Sequence, residues 1–184
     1  MNTTPEGTTL TTPRDVNMNQ WSLILSIAPI VHGSRLFKGI ATPEQAAVLM
    51  LKGHELGFNM TASFEYLDLI EGKPALKPVG ALALIHRSKM FDVKITNEPG
   101  ACTVWMKRRD TGFEYTERYT IDDATKAGLV KPKGAWETYQ ANMLRARAIG
   151  FCARVVAPDV LAGLYLTSDL EQPTDDVWEG EVVE

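Results

Sequence analysis

Between Phe91 and Tyr119 the chain changes period, and this change constrains its fold more than any other feature. Phe91 to Thr96 and Ala101 to Arg109 have the spacing of strands, separated by Asn97-Glu98-Pro99-Gly100, and Asp110-Thr111-Gly112 is a compact hairpin turn into a third strand, Phe113 to Tyr119. The flanks are helical in pattern. Thr42-Pro43-Glu44-Gln45 is a helix start, with Thr42 as N-cap, Pro43 in the first position and Gln45 closing a capping box. The helix it opens stops near Gly57, and Thr61 to Ile70 follows as a second, shorter one. Gly72-Lys73-Pro74 turns the chain before Pro78 opens a third helix to about Ser88. Thr120-Ile121-Asp122-Asp123 starts a short helix that Gly128 ends, and Trp136 to Val155 is the last long one. Helices, a small antiparallel meander, then helices again describe an α+β fold.

The 184 residues suit one domain with a substantial core. We expect an unstructured arm over residues 1–19, rich in Thr, Asn and Pro, although Trp21 to Ile27 has a helical, apolar pattern. The folded domain then spans 20–170, and an acidic tail spans 171–184. No apolar run reaches membrane-spanning length: Trp21 to Val31 is short, holds two serines and is interrupted by Pro29. No basic segment precedes it as in a signal peptide, and Cys102 and Cys152 lack metal-ligand spacing, so buried thiols in a cytoplasmic protein are expected.

A net charge of −4 argues against nucleic acid until it is counted by segment. From Val155 to Glu184 there are eight acids and no Lys or Arg, which leaves −4 minus −8, or +4, for the rest. Between Arg87 and Arg154, thirteen Lys and Arg face eight Asp and Glu, a surplus of +5. The chain is a mildly basic body with an acidic tail.

Signals of enzymatic chemistry are weak. There is no Gly-Lys-Ser/Thr phosphate loop and no Gly-rich nucleotide fingerprint, so nothing supports ATP-driven chemistry. His32, His54 and His86 stand apart, and Asp122-Asp123 is accounted for by the first turn of a helix. A metal-dependent nuclease needs clustered acids, and no such set is evident. The basic residues carry more. Strand alternation sets Trp105, Lys107 and Arg109 on one face, and Val104, Met106 and Arg108 on the other. An aromatic beside two cations suits a surface that follows a sugar-phosphate backbone, while charge at a strand end also serves solubility. At helical spacing Met143, Arg147, Gly150 and Arg154 share a stripe beside an apolar stripe of Leu144, Ala148, Phe151 and Val155. Arg147 and Arg154 thus flank a side-chain-free Gly150 at the edge of the buried face, placed either to line a groove or to bridge internally to Asp122 or Glu137.

An ordered set of short motifs resembles the RecT-type phage recombinases, including the Bet-like annealing proteins. The set runs from Gly53-His54-Glu55-Leu56-Gly57 through Gly72-Lys73-Pro74-Ala75-Leu76 and Ala83-Leu84-Ile85-His86-Arg87 to Arg109-Asp110-Thr111-Gly112. It continues with Asp123-Ala124, Ala127-Gly128-Leu129, Trp136, Tyr139, Met143-Leu144, Arg147-Ala148 and Arg154, and ends with Pro158-Asp159 and Gly163-Leu164-Tyr165. It covers roughly residues 35–170; the chain is short for that family and ends in an acidic tail where relatives have a folded region.

The resemblance implies an annealing core of the RecT type, packed from the meander and several helices. It implies ATP-independent, non-enzymatic binding of single-stranded DNA and of the annealed duplex intermediate by a ring or helical homo-oligomer in a bacterial cytoplasm. A partner exonuclease or a host single-strand-binding protein is a further expected partner, and no membrane is. Carried over by position, Arg109, Arg147 and Arg154 are the leading DNA-binding residues, followed by Lys107, Arg108 and the Lys131/Lys133 loop, then Lys73 and Arg87. Trp136 and Tyr139 either stack on bases or belong to the core. No cofactor is implied, and magnesium enters only as a companion of DNA phosphates. The competing expectation is a phage or plasmid interaction module that keeps the fold and binds a protein.

Overall fold

The computed structural model describes residues 17–170. Most of the expected N-terminal arm and the whole acidic tail lie outside the described residues. The arm ends earlier than expected, because α1 runs over Met18–Ser34. The Asn17 side chain accepts from the Gln20 N–H at 2.9 Å and the Gln20 side chain accepts from the Asn17 N–H at 3.1 Å, a capping box written in residues that compositionally look like arm. Pro29 does not stop the helix, since it lies on the exposed side, where water can serve the carbonyl its ring deprives of a partner.

The second helix, α2 (Pro43–Glu55), starts as expected: Thr42 caps the Gln45 N–H at 3.3 Å. The Gln45 side chain, however, accepts from Ala41 N–H rather than closing the box on Thr42. The helix expected over Thr61 to Ile70 is corrected to α3 (Met60–Tyr66) followed by a strand, β1 (Leu67–Ile70). Glu71 and Gly72 both take positive φ, 52° and 75°, the conformation of a tight two-residue hairpin. That turn folds β2 (Lys73–Leu76) back antiparallel on β1, with Leu67 opposite Leu76 and Ile70 opposite Lys73. Lys73-Pro74 is therefore strand rather than turn.

Helix α4 (Pro78–Ser88) ends on Lys89 in the left-handed conformation. Strands β3 (Phe91–Glu98), β4 (Ala101–Arg108) and β5 (Glu114–Thr120) form the expected antiparallel meander in that order. Thr120 caps α5 (Ile121–Lys126) in a box with Asp123. The long helix expected from Trp136 is broken at Tyr139 (φ −125°, ψ 39°) into α6 (Ala135–Thr138) and α7 (Gln140–Val156). A short α8 (Thr167–Leu170) closes the described chain, beside a parallel bridge between Leu76 and Leu166.

Helix α7 is the centre of the molecule. One side packs on the inner face of the β3-β4-β5 sheet and another on α4, so the whole turn from Arg147 to Gly150, with Cys152 and Ala153, is buried. A helix enclosed this way needs apolar or small residues all round, which Ala148, Ile149, Gly150, Cys152 and Ala153 supply. The single apolar stripe expected for it is corrected accordingly: Val155 is exposed and Phe151 half-buried, while Ile149 and Cys152 are inside. Cys102 and Cys152 are buried free thiols, and burial pushes the Cys152 thiol up to about 12. The architecture is α+β, with two small antiparallel sheets. Among the described residues no helix is long and apolar enough to cross a membrane.

Candidate nucleic-acid interface

The register of the meander settles which side chains share its outer face. Lys94 lies opposite Trp105 on β4, and Trp105 lies opposite Thr116 on β5; Asp92, Lys107 and Glu114 form the next row, and Thr96, Thr103 and Arg118 the row on the other side. The inner rows hold Cys102, Val104 and Met106, all fully buried under α7. Outside, Lys94, Thr96, Thr116 and Arg118 are exposed, and Thr103, Trp105 and Lys107 are half-buried. A tryptophan therefore lies in the middle of an open sheet face, between a lysine and a threonine.

Charge on this face is mostly matched. Arg118 pairs with Glu98 at 3.2 Å and Lys107 lies 3.9 Å from Glu114. Arg109 follows the end of β4, and its Nε donates to Asp92 at 3.1 Å while Nη1 donates to the Lys89 carbonyl. This hydrogen-bonded pairing holds the Asp92 carboxyl below its ordinary range. Lys94 alone of the face's cations has no carboxylate within ion-pair distance among the described residues. With Arg109 included, the face carries Lys94, Lys107, Arg109 and Arg118 against Asp92, Glu98 and Glu114, a surplus of one positive charge beside the indole.

Arg108 is a structural residue. It donates to Asp159 at 2.6 Å, to Asp110 at 2.9 Å and to the Val156 carbonyl at 3.2 Å, and it covers the Phe91 ring at 5.1 Å. It thereby pins the β4-β5 hairpin to the C-terminal end of α7, bringing Arg109 and Arg154 to the same end of the molecule. Arg87 is likewise engaged within the fold: it donates to the Gly57 carbonyl at 2.9 Å and to that of Leu56, and lies over Phe58.

The pair expected at a groove edge is divided. Arg147 is only 7 % exposed, surrounded by the core of α7 and close enough to Tyr119 to act on its hydroxyl. Its expected position at a groove edge is corrected: the residue lies within the packed face of α7, where a phosphate would reach it only if that packing opened. Gly150 is also buried, within the packed face of α7. Arg154 is exposed, on the wall of a cavity of about 310 Å³ lined also by Pro158, Leu161, Gly163, Leu164 and Tyr165.

The aromatic pair divides in the same way. Trp136 is buried against Tyr119, so of the two alternatives it belongs to the core, whereas Tyr139 at the helix break is 62 % exposed. Lys131 and Lys133 lie in an exposed loop, where the Lys133 N–H donates to Glu137 at 2.6 Å, and Lys73 is exposed at the start of β2. Lys94 and Thr116 were not among the sequence candidates; alternation along β3, combined with the register set by the Pro99-Gly100 turn, is the signal that locates Lys94 beside Trp105. Among the described residues no group of three His, Cys, Asp or Glu could hold a metal ion. No family model matches this chain, and no curated protein matches it.

Proposed function

We propose that the protein binds single-stranded DNA without ATP and promotes its annealing as a homo-oligomer, the activity implied by its resemblance to RecT-type recombinases. The observation that carries the binding part is the open outer face of β3-β4-β5, with Trp105 flanked by Lys94 and Lys107. Bases of any identity can stack on an indole, and lysines beside it attract phosphate without reading sequence. The resemblance carries the annealing part. Arg109 and Arg154, at the end of the molecule that Arg108 holds together, extend the cationic surface beyond the sheet.

Titration of the full chain with a labelled oligonucleotide, at rising salt, tests this. Trp105→Ala and Lys94→Glu are each expected to weaken single-strand binding, by about tenfold for the loss of one stacked base. The parent is expected to accelerate annealing of complementary strands at low salt with no nucleotide present. An unchanged annealing rate would overturn the proposal.

A protein-interaction module is the second reading, favoured by α1. That helix carries no Asp, Glu, Lys or Arg and leaves Met18, Leu23, Leu25 and Ile30 largely exposed. Under this reading neither substitution on the sheet changes binding to any oligonucleotide.

A further inference from the structure

The cavity beside Arg154 sets a guanidinium on the wall of a partly open, largely apolar depression. Leu161 is buried at its base, Leu164 half-buried, and Tyr165 is 56 % exposed at its rim. One guanidinium among Pro158, Leu161, Leu164 and Tyr165 suits an apolar or aromatic side chain with a carboxylate next to it. On the sheet face, by contrast, the charges are mostly matched in ion pairs.

The chain's own tail carries a segment of that chemistry. In the tail, Val177-Trp178 is bracketed by Asp175-Asp176 and by Glu179 and Glu181, with no Lys or Arg anywhere beyond Arg154. We propose that the cavity is the docking site of the chain's own Val177-Trp178 segment, the tryptophan entering the hollow and a neighbouring carboxylate meeting Arg154. Reach permits it. Trp178 is eight residues beyond Leu170 (178 − 170), a span of about 26 Å when extended, and the Pro158–Tyr165 lining lies only 5 to 12 positions before Leu170. A guanidinium has several donors in a fork, so Arg154 can take a carboxylate in addition to its contacts in the fold. The tether helps as well, because a segment joined to the body through only a few residues is held at an effective concentration of about millimolar, enough to populate a weak contact.

Disulfide trapping in the full chain tests the docking without nucleic acid, so its outcome is separate from that of the DNA-binding proposal. Cys102 and Cys152 are fully buried and leave introduced thiols to react alone. In dilute Pro158→Cys/Glu179→Cys protein under mild oxidant, the intrachain disulfide is expected to form about tenfold faster than in a Thr116→Cys/Glu179→Cys control on the sheet face. Adding Arg154→Glu and Trp178→Ala should remove the difference. Equal rates in the two pairs would overturn the proposal, and so would a product formed mainly between chains.

Discussion

Arg108 joins three parts of the fold through one side chain. It holds Asp110 in the hairpin, Asp159 and the Val156 carbonyl beyond α7, and covers Phe91 on β3. Both carboxylates respond: hydrogen bonds from Arg108 hold Asp110 down to about 2 and also lower Asp159. A carboxyl whose pKa is depressed in the folded state stabilises the fold above its unfolded value, about 4, and loses that contribution as pH falls through the folded value. Arg108→Ala is therefore expected to cost about 1–2 kcal/mol at neutral pH, the carbonyl bond and ring contact included and the partly solvated ion pairs discounted. In urea unfolding across a pH series, the gap between parent and variant should hold steady from neutral pH down to about 5. It should narrow between about 4 and 2, to the part carried by the Val156 carbonyl bond and the Phe91 contact; a gap independent of pH there would refute the ion-pair account. Reading Arg108 from sequence as a cation at a strand end could not anticipate this, because Asp159 is far away in the chain. Arg147 was opaque for a related reason: helical spacing gives relative angles, and only the packing of α7 on two sides shows that Arg147 is enclosed while Arg154, on the same stripe, is exposed.

Among the elements, sequence was most legible where a local chemical signal sets a boundary. The Thr42-Pro43 helix start, the Pro78 helix start, the β3-β4-β5 meander and the Thr120 cap all stand within a few residues of expectation. The β1-β2 hairpin was not legible, because Leu67 to Ile70 continues an apolar pattern and becomes strand only when the Glu71-Gly72 turn returns β2 onto it. Contact between elements explains a glycine that helix propensity alone would remove. A Cβ on Gly53, inside α2, would lie 1.9 Å from Ser63 Oγ and 2.5 Å from its Cβ, on a buried residue of α3. Alanine gains about 1 kcal/mol in helix propensity, yet overpacking here costs about 1–3 kcal/mol and the wedge acts on both helices. Gly33, in the last turn of α1, has nothing within 4 Å of its added Cβ. Thermal unfolding should show Gly53→Ala destabilised and Gly33→Ala slightly stabilised, opposite signs for one chemical change. A stabilised Gly53→Ala would mean that α2 and α3 are not in this close contact.

For the whole molecule, the decisive electrostatic feature is the separation of a +2 body, residues 1–170 (−4 + 6), from the six acids of the 171–184 tail. Counting along the chain reveals that separation, but not how strongly the acids act on a ligand of the body, since the residues beyond Leu170 lie outside those described. Their effect has two possible physical forms with different salt signatures. A diffuse negative field slows the approach of an oligonucleotide over distances of about a Debye length, roughly 10 Å at 0.1 M salt and 3 Å at 1 M. A short-range contact at Arg154 is less sensitive to salt because its hydrogen bonds and apolar burial persist. Replacing Asp175, Asp176, Glu179 and Glu181 by their amides (Asp→Asn, Glu→Gln) removes four charges and leaves Val177-Trp178 in place, taking the net charge from −4 to 0 (−4 + 4). If the proposed DNA binding holds, this variant is expected to associate with a single-stranded oligonucleotide about tenfold faster at low salt, the lower end of the range for electrostatic steering. The advantage should fade toward the parent rate by about 1 M salt, where screening is nearly complete. An association rate that stays elevated at high salt would assign the tail's influence to local occupation of the body's surface and not to its field.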